Sequence, residues 1–104
     1  SLKMLHTPGH SGGSICIMLQ SSDGRAELLC TGDTIFPGSC GRLDLPDSDT
    51  KAMFDSLELL RKLPDTLEVY PGHAYGGQKT TIAKEKQAGL LRPFTWEQWV
   101  QRMG

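Results

Sequence analysis

Apolar positions come in short runs over the first third of the chain and at helical spacing after it. Leu2 to His6 reads as a strand, followed by the turn-rich stretch Thr7-Pro8-Gly9-His10-Ser11-Gly12-Gly13-Ser14. Ile15-Cys16-Ile17-Met18-Leu19 is a compact apolar run bounded by turn formers, the pattern of a buried strand. Ser21-Ser22-Asp23-Gly24 predicts a hairpin into a third strand at Ala26 to Cys30. The chain then passes through Thr31-Gly32-Asp33-Thr34 and Ile35-Phe36, and loses regularity between Pro37 and Pro46.

Beyond this point the period changes. Met53, Leu57 and Leu60 share one helical face, with Phe54 beside them, which predicts a helix over Thr50 to Leu63 stopped by Pro64. Asp47, Ser48 and Asp49 supply its cap and suit the dipole at its start. Leu67-Glu68-Val69-Tyr70 predicts a strand that ends at Pro71-Gly72-His73, and Thr81 to Ala88 a shorter helix with Gly89 as its stop. Thr95 and Gln98 stand at capping-box spacing before a last helix, on which Trp96, Trp99, Val100 and Met103 trace a buried face. The order strand, strand, strand, helix, strand, helix, helix predicts an α/β layer architecture, with a sheet on one side and helices on the other.

Composition narrows the function more than the fold. With 104 residues the chain is one domain or part of one. A formal net charge of −1 gives no global field for nucleic acid or an anionic membrane, so neither is expected as a partner. The longest purely apolar run, Ile15 to Leu19, is far short of the roughly 20 residues of a membrane-spanning helix. No targeting signal is legible, and the expected compartment is the cytoplasm or the mitochondrial matrix. Cys16, Cys30 and Cys40 are an odd set without CxxC spacing, which argues against a disulfide framework and for reducing surroundings.

The chemistry centres on three residues that each follow a glycine at the end of a strand-like run: His10, Asp33 and His73. Glycine lets the chain turn sharply out of a strand, so side chains launched there can converge at one rim of a sheet. Singly, each is an ordinary turn or strand-end residue. Together, two imidazoles and a carboxylate form a donor set for zinc or non-haem iron. His6 reads as a packed or supporting histidine, Cys40 as a small buried filler, and the two tryptophans as core. Arg42 reads either as the surface partner of Asp44 or as a guanidinium reaching a substrate carboxylate.

Four ordered segments carry a family resemblance: His6-Thr7-Pro8-Gly9-His10-Ser11-Gly12-Gly13-Ser14, Thr31-Gly32-Asp33-Thr34-Ile35-Phe36, Gly38-Ser39-Cys40-Gly41-Arg42-Leu43-Asp44 and Tyr70-Pro71-Gly72-His73-Ala74-Tyr75. Together they resemble the metallo-β-lactamase superfamily, in its glyoxalase II and persulfide dioxygenase branch. The resemblance implies an αβ/βα sandwich with metals at one edge. It implies His10 and His73 as ligands of a first and a second metal, Asp33 as the bridging, catalytically essential carboxylate, and Thr31 in support. Arg42 and Tyr75 would contact the glutathione part of the substrate. The implied activity is hydrolysis of a glutathione thioester by water activated at two metals, zinc by expectation. The implied alternative is an oxygenase using a single iron, with His10 and Asp33 as ligands and His73 a bystander.

The resemblance has a gap. The superfamily's H-x-H-x-D-H motif is absent, so residues 1–104 look like the C-terminal half of the fold, with part of the metal shell missing. A third expectation follows: a non-catalytic half-domain that associates with itself or pairs with the N-terminal half. Leu43-Asp44 replaces the aromatic pair common in glyoxalase II, and Ala74 the usual acidic residue, which leaves the substrate open.

Overall fold

The computed structural model describes residues 2–41, 43, 46, 48–72 and 77–103, the last without its side chain. The predicted positions Arg42, His73, Tyr75 and Asp47 fall outside the described residues. Among the described residues, one sheet has the order β1 (Leu2–His6), β2 (Ile15–Gln20), β3 (Ala26–Gly32), β6 (Glu68–Pro71), β7 (Thr80–Thr81). A small hairpin pairs β4 (Ile35–Phe36) with β5 (Ser39–Cys40). The helices are α1 (Thr50–Arg61), α2 (Ile82–Ala88) and α3 (Trp96–Met103). All pairings in the larger sheet are antiparallel except β3 with β6, which run parallel and are linked through α1. This is the predicted α/β layering, with a mixed sheet.

Register separates the two faces of the sheet. Leu5 lies opposite Cys16, and Met18, Leu29, Val69 and Thr80 form a row across β2, β3, β6 and β7. This face packs under the helices, where Met53, Leu57 and Leu60 of α1 join Ile82, Leu90, Leu91 and Trp99 in one core. Each such side chain contributes about 1.5–3 kcal/mol by leaving water. The opposite face is different. Leu2, Met4 and His6 stand across from Leu19, Ile17 and Ile15, and that row continues to Leu28 and Cys30. Leu2 is 68% exposed, Met4 71% and Ile15 41%. The apolar run of β2, expected to be buried throughout, is buried only at alternate positions, because among the described residues no second layer covers this side.

Local signals place the helix ends. Asp49 caps α1, its carboxylate accepting from the backbone N–H groups of Lys51 and Ala52. The capping box of α3 forms reciprocally: Gln98 N–H donates to Thr95 Oγ1 at 3.2 Å and Thr95 N–H to Gln98 Oε1 at 2.9 Å. The predicted face of α3 is only partly correct. Trp99 is fully buried, whereas Trp96 and Val100 are each 40% exposed. The helix meets α1 along the line of Trp99, and Trp96 sits at the rim against Phe54, ring centroids 5.4 Å apart.

Two elements escaped the sequence reading, β7 and the β4–β5 hairpin. Buried Glu85 ties both to α2: Oε1 accepts from Gly38 N–H at 2.9 Å and Oε2 from Thr80 Oγ1 at 2.9 Å.

Candidate metal centre

The site begins at the loop after β1. Thr7 N–H donates to Ser14 O at 3.0 Å, closing the loop, and Ser11 and Ser14 share a hydroxyl hydrogen bond of 2.8 Å. Three consecutive carbonyls of this loop are held by α1 and the two residues before it. Pro8 O accepts from Ser56 Oγ at 2.7 Å, Gly9 O from Asp49 N–H at 2.7 Å and His10 O from Ser48 Oγ at 2.8 Å. Gly9 has φ +149°, and a Cβ there would come within 2.5 Å of Met53 Cβ, so only glycine lets this loop lie against α1. His6 Nε2–H donates to Gly12 O at 2.8 Å, consistent with a supporting role.

Asp33 leaves the sheet through Gly32, whose φ of +51° turns the chain at the end of β3. Thr34 N–H donates to Thr31 O at 2.8 Å, and buried Thr31 donates its hydroxyl to Ile35 O at 3.0 Å, so the turn is held from both sides. Thr31 thus supports Asp33 through the backbone.

The two loops meet. His10 Nε2 lies 3.7 Å from Asp33 Oδ2, with the side chains 21% and 40% exposed. Zinc binds imidazole nitrogen and carboxylate oxygen at about 2.0–2.2 Å each, so the two bonds together reach about 4 Å. A cation can therefore touch both groups at their present separation, in a place open to solvent. Gly41 closes one side, and a Cβ there would lie 2.8 Å from His10 Nδ1. On the other side Gly72 N–H donates to Gly32 O at 2.7 Å, so the residues preceding His73 and Asp33 are in contact.

Among the described residues no group of three or more His, Cys, Asp and Glu side chains gathers around one point. The third predicted ligand, His73, lies outside them, as do Arg42 and Tyr75. Burial pushes the Cys40 thiol up to about 11, with Arg102 pulling the other way, which disfavours the thiolate that a nucleophile needs. Ser48, Ser56, Thr7 and Thr34 were missed as contributors, since hydroxyls that hold a loop from distant positions leave no local pattern.

Residues 1–73 match the model of the metallo-beta-lactamase superfamily. A hydroxyacylglutathione hydrolase of Prochlorococcus marinus is 40% identical over 77 residues, covering 72% of this chain and 30% of that protein. A metallo-beta-lactamase of Staphylococcus aureus superposes with TM-score 0.85 at 34% identity, over 98% of this chain and 34% of that one. ETHE1 from Myxococcus xanthus gives TM-score 0.82 at 33% identity, over 98% and 44%. The chain thus spans about a third of the curated relative and under half of these solved structures.

Proposed function

The chain belongs to the metallo-β-lactamase superfamily of metal-binding hydrolases, and from that premise we propose that it supplies His10, Asp33 and His73 to a metal centre hydrolysing a glutathione thioester. The observation that carries this reading is the convergence of His10 and Asp33 from two separate glycine turns to 3.7 Å. The likeness to a hydroxyacylglutathione hydrolase supports the thioester as substrate class. A bound divalent cation would supply Lewis acidity and a more acidic water. This chain's own residues do the positioning. Asp33 brings a carboxylate oxygen and His10 a ring nitrogen. Gly41 leaves room for both, and Ser48 with the Asp49 backbone fixes the histidine loop. Arg42 and Tyr75 would hold the glutathione carboxylates and peptide.

Metal uptake by the purified chain is the test. Zinc titration followed by calorimetry is expected to show a saturable site, weakened at least about tenfold in His10→Ala and Asp33→Ala, since each removes one donor. Equal binding by all three proteins would remove the basis for the reading. The likeness to ETHE1 favours a second reading, a persulfide dioxygenase-like oxygenase using one iron. Elemental analysis of protein purified from its natural source separates the two. Zinc with release of thiol from a glutathione thioester supports hydrolysis; one iron with oxygen uptake on glutathione persulfide supports oxygenation.

The open sheet face bears on how the chain associates. We infer that it is where the rest of the family's polypeptide packs, since Leu2, Met4 and Ile15 are exposed on one continuous apolar row. Alone, the 104-residue chain is expected to cover that face by self-association. Sedimentation should show a dimer or larger species, and Met4→Lys with Ile15→Lys should shift it toward monomer. Cys30, exposed on the same row, should alkylate faster in the lysine variant. A wild-type monomer with freely reactive Cys30 would refute the inference.

A further inference from the structure

A pair of buried hydroxyls lies beneath the two ligand loops. Thr7 stands three residues before His10, and Thr34 directly follows Asp33. Both are 0% exposed, and their Oγ1 atoms are 3.0 Å apart. Cys16 on β2 completes the cluster, its Sγ 3.4 Å from Thr7 Oγ1. We propose that the Thr7–Thr34 hydroxyl pair is a clasp that sets the separation of His10 and Asp33, so that both residues are positioning residues for cation capture. The inference rests on the metal reading above.

The physical case starts from cost. A hydroxyl buried away from water without a partner loses about 1–3 kcal/mol, and valine would fill the same space without that cost. Two threonines facing each other at zero exposure therefore need partners, and each finds the other, with the Cys16 thiol beside them. That pair is a fully buried side-chain hydrogen bond that links the turn after β1 to the turn after β3. The Ser48 and Ser56 hydroxyls hold the histidine loop, and Thr31 holds the aspartate turn, but neither sets one loop against the other. Cys16 reinforces the pair: burial raises its thiol, which therefore stays protonated and can donate into the cluster. A ligand pair at 3.7 Å tolerates little drift, because site geometry must hold to about 0.5 Å.

The test compares metal affinity with fold stability in this chain, using cobalt as the probe ion. Thr7→Val and Thr34→Val each break the hydroxyl–hydroxyl bond and leave the remaining threonine only the weaker Cys16 thiol as partner, and should lower both. The double variant Thr7→Val/Thr34→Val replaces both partners by groups of the same shape, so its urea midpoint should recover toward wild type. Its cobalt affinity should stay about 10–100-fold low, the scale of losing a supporting hydrogen bond at a metal site. Thr7→Ser, which keeps the hydroxyl, should bind as wild type. Affinity that recovers together with stability in the double variant, or single variants that bind normally, would overturn the clasp while leaving the metal reading intact. A wild-type chain that takes up no cobalt and no zinc would instead sink the metal reading, and the clasp with it.

Discussion

Replacing Gly41 by alanine is expected to dismantle the candidate centre while leaving most of the fold in place. The new Cβ would sit 2.0 Å from Asp33 O and 2.8 Å from His10 Nδ1, closer than atoms can approach. Neither neighbour is free to yield. Asp33 O belongs to a turn closed by Thr34 N–H to Thr31 O, and the His10 loop is bonded at three successive carbonyls. Gly41 itself is held by its N–H to Thr34 O at 3.2 Å. Relief must come by pushing the β4–β5 hairpin away from the loops or by parting His10 from Asp33. Overpacking of this kind costs about 1–3 kcal/mol, which a chain of this size can survive. Metal affinity should fall at least about tenfold, because the donors can no longer share a cation. Gly13→Ala is the control: nothing lies within 4 Å of the added Cβ, so stability should change by less than about 0.5 kcal/mol and binding should hold. Parallel urea melts and zinc titrations of the two variants decide the matter. Normal zinc binding by Gly41→Ala would show that His10 and Asp33 do not act together.

The contrast between those two glycines shows what was legible in the chain. The pairing of glycine with a ligand-type residue at three strand ends pointed to His10, Asp33 and His73 as one site; the structure brings the first two to 3.7 Å, and His73 lies outside the described residues. Strands β1 to β3 were legible from run length and turn residues, and α1 and α3 from period and caps, because these signals are local. What failed was tertiary. β7 is two residues long and exists only through its pairing with Val69 and Glu68. The β4–β5 hairpin is equally short, set between Glu85 and the Asp33 turn. Trp96 and Val100 fit the helical face by spacing, yet lie beyond the edge of what α1 can cover. Ser48 and Ser56 reach the His10 loop from 38 and 48 residues away, and no sequence pattern records such a reach.

Trp99→Ala should produce the largest loss of stability, and the reason links the last helix to the site. Trp99 is 0% exposed, and its indole N–H donates to Thr50 O at 3.0 Å. Its ring centroid lies 6.2 Å from that of Phe54 and 6.0 Å from that of Phe94. Emptying such a position costs about 3–5 kcal/mol, against a total of roughly 5–15 kcal/mol for a domain. The loss falls first on α3, which at eight residues is shorter than the roughly 12–15 needed to persist unaided. Thr50 opens α1, and Ser48 and Asp49 immediately before it hold the carbonyls of His10 and Gly9. Loosening at Trp99 therefore reaches the histidine loop, and zinc affinity should drop along with the urea midpoint read by circular dichroism. Trp99→Phe keeps an aromatic ring in place but removes the donor and part of the buried volume, so it should cost about 1–3 kcal/mol, less than alanine, and bind zinc nearly as wild type. If Trp99→Ala unfolds within about 1 kcal/mol of wild type, α3 is an ornament of the fold, and α1 alone must anchor the His10 loop.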